Sequence, residues 1–233
     1  MDEIKEKLGY EMYGIKYLDK CIRVLLLDDL KEDELALYNN IDLAGLKIYS
    51  DKSEFLADTD EPLMYIVITK DYNKNLETLN EISKLNIFTM LITCNVDNTT
   101  LFDSFISYDD NNKMISDSIN IIKIITRISM IPGIICVDFF DLKTVLEKSG
   151  KNYYKSFCVP IASLADFCFE SVIPNPKTCI VQFIGNNPSI LDVVKTMPKL
   201  RKQLKKVNSP IITCNDDSEM SKTDMEINLI FSW

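Results

Sequence analysis

Carboxylates are the side chains in this sequence best placed to do chemistry, and they fall in three groups. Five lie within seven residues, Asp28, Asp29, Glu32, Asp33 and Glu34, directly after an apolar run at 21–27. Asp138 and Asp141 stand three apart in a largely apolar stretch, and adjacent pairs occur at Asp109 and Asp110 and at Asp216 and Asp217. Clustered acids can hold a magnesium ion and bridge it to a phosphate, but the other phosphate oxygens then need amide donors. Adjacent acids on turns are far more often solvated than catalytic, and nothing in the sequence desolvates either pair. The chain has no histidine, so the usual general base and zinc partner are missing, and triads that depend on histidine are excluded. Seven cysteines (Cys21, Cys94, Cys136, Cys158, Cys168, Cys179, Cys214) are scattered singly with no C-x-x-C pair, which reads as buried thiols in a reducing compartment and no metal site.

Glycine is the second guide. Only six occur, Gly9, Gly14, Gly45, Gly133, Gly150 and Gly185, about a third of average usage. A loop that wraps a phosphate needs glycine, because a Cβ blocks the approach of the backbone amides.

The elements that must position these residues follow from apolar periodicity. The run at 21–27 reads as a strand buried on both faces, followed by a helix to about 41, a break at Gly45 and a strand at 46–50. A strand at 63–69 leads through Lys70, Asp71 and Asn73 into a helix carrying Leu76, Leu79, Ile82 and Leu85, closed by Asn86 before a strand at 87–94. Strand and helix in alternation predict an α/β fold with a small doubly wound parallel sheet. A helix at 113–128, with Ile115, Ile119, Ile121, Ile122, Ile124, Ile125 and Ile128 around most of its circumference, must be buried between two layers or domains. Beyond Gly150 the pattern predicts a helix at 161–171, a strand at 178–185, a helix from Ser189 kinked by Pro198, and strands at 210–214 and 225–231, an α+β second half. The expected division is a reduced nucleotide-binding-type domain at 1–112, a central helix at 113–131 and a C-terminal region at 132–233.

With 233 residues, 46% hydrophobic and 26% charged, the chain can bury roughly three quarters of its unfolded surface. Its net charge of −9 argues against nucleic acid as a partner. The charged start, Met1 to Lys7, is no signal peptide, and the longest apolar stretch is broken by Pro132, Gly133 and Asp138, so no membrane span and a cytoplasmic location are expected. Lys195, Lys199, Arg201, Lys202, Lys205 and Lys206 make a basic face on the helix from Ser189, read as solvated.

The stretch Pro132-Gly133-Ile134-Ile135-Cys136-Val137-Asp138-Phe139-Phe140-Asp141-Leu142-Lys143-Thr144-Val145-Leu146 resembles the catalytic loop of FtsZ, P-G-[LI]-[IM]-N-x-D-F-A-D-[VL]-[KR]-T-V-[ML]. In that family the loop follows the long central helix, as here. Residues 63–96, Val172-Ile173-Pro174-Asn175-Pro176, the strand ending at Gly185 and the closing 225–233 resemble the family more weakly, so the likeness extends over about residues 20–233. The resemblance implies a shortened bacterial member of the tubulin/FtsZ superfamily, lacking several tens of residues before the central helix that contact base and ribose.

In the family GTP binds one subunit, and the catalytic loop of the next supplies carboxylates that orient the attacking water. Asp138 and Asp141 match those carboxylates, with Gly133, Phe139 and Lys143 around them, while Cys136 replaces an asparagine. Without that interface, Asp138 reads as the cap of a helix from Phe139, and Asp141 as a charge complementing its dipole. The signature G-G-G-T-G-[ST]-G is missing after the strand at 63–69, where Lys70, Asp71 and Asn73 stand, and Asp28, Asp29, Glu32, Asp33 and Glu34 replace the first phosphate loop. Each close acid–phosphate pair costs on the order of several kcal/mol at an effective dielectric of about 20. This exceeds what Lys31 and Lys70 return. Asp117 is left unassigned as a guanine contact.

The expectation is therefore a protein without cofactor that neither binds nor hydrolyses GTP and acts by capping or tuning filaments of FtsZ or a related protein. The alternatives are a nucleotide-independent scaffold that assembles with itself and an atypical GTPase.

Overall fold

Runs of Ile, Val and Leu flanked by polar turns build the first half. The computed structural model describes residues 20–233 apart from 28, 29, 132, 134, 136, 148, 149, 174, 205, 206, 208 and 209, and, for Glu170 and Ser171, the backbone alone. Asp28, Asp29, Cys136, Lys205, Lys206, Gly9, Gly14 and the charged N-terminal stretch lie outside the described residues.

β1 (Lys20–Leu26), α1 (Glu32–Asn39), β2 (Leu46–Tyr49), α2 (Lys52–Ala57), β3 (Glu61–Thr69), α3 (Leu76–Ile82), β4 (Thr89–Cys94) and β5 (Ser104–Tyr108) follow in order. The five strands pair in parallel as β2-β1-β3-β4-β5. Ile22, Val24, Ile66, Ile68 and Ile92 face one core, while Leu25, Val67, Leu91 and Phe105 face a second on the other side. Burial on both faces is why these strands read as continuous apolar runs. Among the described residues, left-handed backbone falls on Gly45, Gly150 and four asparagines, Asn86, Asn95, Asn175 and Asn187. Asparagine tolerates that conformation better than other residues with a Cβ, and here it takes the place of scarce glycine.

α4 (Asn111–Met130) is the central helix, capped by Asp110, whose carboxylate accepts the Lys113 amide at 2.8 Å. Its isoleucines belong to one core cluster that also holds Ile66, Ile92 and Ile106 of the first half and Ile180, Ile211 and Ile230 of the second. The expectation of a helix buried on most of its sides is met.

α5 (Phe139–Glu147), β6 (Gly150–Pro160), a 3-10 helix (Ile161–Asp166), α6 (Phe169–Val172), β7 (Thr178–Gly185), α7 (Ile190–Gln203), β8 (Ile211–Asp216) and β9 (Asp224–Ser232) complete the chain. β6 pairs in parallel with β5 through its first three residues and antiparallel with β9 through Tyr153 to Pro160. One mixed nine-stranded sheet, β2-β1-β3-β4-β5-β6-β9-β7-β8, therefore runs through both halves.

Two expectations are corrected. The helix expected at 161–171 is broken at Phe167, whose backbone is extended (φ −58, ψ 130). There its ring sits 5.4 Å from that of Phe157 and 4.7 Å from that of Phe169, a packing a continuous helix could not reach. The helix expected to reach 41 stops at Asn39, and Ile41 turns into the core. The helix from Ser189 holds as α7, with Ser189 as its cap and Pro198 inside it.

Candidate functional site

The first half changes winding direction between β1 and β3: β2 lies on one side of β1, and β3, β4 and β5 follow on the other. In open α/β sheets the crevice outside the carboxyl ends of the strands at such a switch point is where ligands bind. Two turns flank it here, one between β1 and α1 and one between β3 and α3.

The β3–α3 turn is bonded to itself. Asp71 Oδ1 accepts the Lys74 amide at 3.0 Å, the Asp71 carbonyl accepts the Asn75 amide at 3.3 Å, and the Asn73 carbonyl accepts the Leu76 amide at 3.4 Å. Thr69 Oγ1 donates to the Asp71 carbonyl and accepts from Asn75 Nδ2, at 3.1 and 3.0 Å. The amides of Lys74, Asn75 and Leu76, at the head of α3, and the Asn75 side-chain amide are thus bonded inside the turn.

The β1–α1 turn is tied across the crevice. Glu34 Oε2 accepts the Lys31 amide at 2.9 Å and pairs with Lys70 Nζ at 2.8 Å. Lys70 and, secondarily, the Lys31 amide hold the Glu34 carboxyl below its ordinary value. Glu32 and Asp33 are exposed in the first turn of α1, where acids complement the helix dipole, and Asp71 and Asn73 are exposed beside them.

The catalytic-loop match lies at the other end. α4 leaves the carboxyl end of β5 and runs back along the sheet, so that Met130 fills the space a Cβ on Gly45, just before β2, would need. Twenty residues at about 1.5 Å each separate its ends by about 30 Å. Asp138 caps α5 through the Asp141 amide, 2.9 Å from its Oδ1. Asp138 and Asp141 are both exposed, with Phe140 at 65% exposure between them. Phe139 is buried against Phe88, and Lys143 pairs with Glu147 at 3.3 Å while its Nζ lies 5.7 Å over the Phe88 ring. Gly133 has no room for a side chain: a Cβ would lie 2.7 Å from the Cys214 carbonyl oxygen. An antiparallel bridge between Ile135 and Cys214, and Thr213 Oγ1 donating to the Ile135 carbonyl at 2.9 Å, lay this segment on β8. The structure thus gathers Gly133, Asp138, Phe139, Asp141 and Lys143 at one end and Glu32, Asp33, Glu34, Lys70, Asp71 and Asn73 at the other.

The adjacent acid pairs have structural work. Asp110 caps α4, Asp217 pairs with Arg127 at 2.6 Å, and Asp216 accepts the Asn187 amide. On the basic helix, Lys195 pairs with Asp192 at 2.9 Å and Lys199 with Asp166 at 3.7 Å, while Arg201 and Lys202 are exposed.

Sequence reasoning missed one group and left another unassigned. Arg23, almost wholly buried, pairs with Asp58 at 3.1 Å, and Asp58 also binds Lys47 at 2.7 Å and accepts from Tyr49. A charged residue inside the run at 21–27 was its only signal. The other is Asp117, half-buried beside Tyr108, where burial raises both groups and Asp117 raises the phenol further. Among the described residues no group of three or more His, Cys, Asp and Glu side chains could hold a metal ion, and no helix is long and apolar enough to cross a membrane.

No family model matches the sequence, and no curated protein matches it. Solved structures do match. A point mutant of FtsZ from M. jannaschii has a TM-score of 0.69 at 10% identity, over 100% of this chain and 96% of that one. CetZ from Methanosaeta thermophila gives 0.60 at 10% identity, over 91% and 86%. TubZ from Bacillus thuringiensis serovar israelensis, solved as GDP-form protofilaments, gives 0.59 at 9% identity, over 97% and 90%. The chain has the tubulin/FtsZ fold along its whole length.

Proposed function

We propose that this protein is a non-hydrolysing relative of FtsZ that acts by contact, docking the end bearing Asp138 and Asp141 on the nucleotide face of an FtsZ-type subunit and capping its filament. The observation that carries this reading is the state of the switch-point crevice. The amides of Lys74, Asn75 and Leu76 in its β3–α3 turn are bonded internally, and Lys70 is neutralised by Glu34. A polyphosphate arriving there would meet Glu32, Asp33 and Asp71 with few donors in return.

The opposite end carries an exposed pair of carboxylates beside an exposed Phe140, an arrangement suited to an interface. The two ends lie about 30 Å apart, too far to complete one site within a chain. A contact between unlike ends of successive subunits is heterologous and propagates. A subunit with one working end stops it.

Assembly with a second copy is the weaker reading, although solved relatives include an FtsZ dimer and TubZ protofilaments. Stacking the two ends of this chain would bring Asp138 and Asp141 toward Glu32, Asp33 and Asp71, and like charges at close range repel.

The test is titration of fluorescent GTP and GDP with magnesium, followed by sedimentation of an FtsZ with and without excess of this protein. No nucleotide binding up to millimolar concentration and a loss of sedimented polymer are expected. Micromolar nucleotide affinity, or unchanged polymerisation and GTP hydrolysis, would overturn the reading.

A further inference from the structure

We propose that the Glu34 carboxylate is the resident anion of the switch-point crevice, standing where a phosphate would be held and keeping the two crevice turns joined without a ligand. This rests on the reading that the crevice takes no nucleotide, and it names what occupies it instead.

An anion at such a crevice is held by amides and dipole at a helix N-terminus and by a cation reaching over from the neighbouring turn. Both are present, and both are directed at one side chain of the protein itself. Oε2 of Glu34 lies 2.9 Å from the Lys31 nitrogen at the head of α1 and 2.8 Å from Lys70 Nζ, which follows β3. The side chains of Lys70 and Glu34 are only 20% and 15% exposed, so the contact is shielded from the screening that weakens surface pairs. Glu32 and Asp33, the neighbours of Glu34 in the same turn, are exposed. A carboxylate bonded to an amide and an ammonium ion makes the contacts of one phosphate oxygen.

The consequence is an arrangement of the crevice end that does not depend on bound ligand. In a fold whose turns are ordered by phosphate, losing the phosphate loosens them. In this chain the anion is covalently attached and present at full occupancy.

The test is anion rescue in the full chain, read by thermal unfolding in chloride and in inorganic phosphate at matched ionic strength. In chloride, Glu34→Ala is expected to unfold about 2–4 °C below the wild type. Phosphate stabilises folded proteins generally, so the readout is the gap between variant and wild type in the same salt. Phosphate is expected to close at least half of the gap for Glu34→Ala and none of it for Glu34→Ala combined with Lys70→Ala. Glu34→Gln supplies the same comparison should the alanine variant fail to fold.

A gap that phosphate leaves unchanged, or closes equally without Lys70, would overturn the inference and make Glu34 a helix cap alone. That result would leave the capping function standing, because FtsZ sedimentation does not involve Glu34. Nucleotide binding by the wild-type protein would sink both.

Discussion

Arg127, in the last turn of α4, reaches Asp217 just beyond β8, with Nη2 2.6 Å from Oδ2, and so ties the central helix to the second half of the sheet. The side chains are 17% and 21% exposed, and Asp217 also accepts the Glu219 amide at 3.1 Å. Arg127→Ala removes a charge-assisted hydrogen bond and leaves a part-buried carboxylate, a loss of about 2 kcal/mol. Chemical denaturation checks this, and a double-mutant cycle with Asp217→Ala is expected to return most of the loss as coupling.

Gly133→Ala places a Cβ 2.7 Å from the Cys214 carbonyl and 3.0 Å from Asn215 Nδ2. The nearer atom is sheet backbone, which gives way only if the bridge between Ile135 and Cys214 opens. A cost of about 1–3 kcal/mol is expected. Faster hydrogen exchange at the carboxyl end of β8 is the specific sign.

Capping and docking by the carboxylates of α5 can be separated. Asn caps a helix about as well as Asp, so Asp138→Asn is expected to keep stability within about 0.5 kcal/mol and to weaken any effect on FtsZ filaments. Asp138→Ala loses about 1 kcal/mol as well. Asp141→Ala, at an exposed position in the first turn of α5, is expected to cost no more than about 0.5 kcal/mol and to lower the filament effect. Equal filament activity in all three variants and the wild type contradicts the docking surface.

Asp58 makes a pH prediction. Lys47 first, then Tyr49 and the Asp60 amide, hold its carboxyl well below the usual range, and its charge pairs with Arg23 as well. A carboxyl depressed in the folded state contributes stability that is complete above its unfolded pKa of about 3.9 and is lost as pH falls toward the folded value. Asp58→Asn is expected to be less stable than wild type at neutral pH, with the difference shrinking in acid. Denaturation midpoints measured across the acid range check the sign.

The strands at 21–27, 63–69 and 178–185 and the central helix were legible because a segment buried on two faces or all round must be apolar throughout. β5 and β6 were not. Ser104 and Ser107 interrupt β5, and β6 mixes Lys151, Lys155 and Ser156 with Tyr153, Tyr154 and Phe157, because one of its faces is partly open and its partner changes midway. The split at Phe167 was equally hidden, since local apolar spacing continued while the aromatic contacts that break the helix come from β6.

At the candidate site, residue types alone determined that neither crevice turn, at 28–31 and 70–75, contains a glycine and that the stretch from Gly133 to Lys143 resembles the FtsZ pattern. They also placed Asp138 as a cap, because that depends on three neighbouring residues. The tertiary structure decided the rest. Only it shows that Lys70, counted from sequence as a cation open to phosphate, is neutralised by Glu34 thirty-six positions away, and that Gly133 is required by β8. Capping and strand formation are set by neighbours in the chain, whereas ion pairs and forbidden Cβ positions are set by segments that meet only once the sheet has formed.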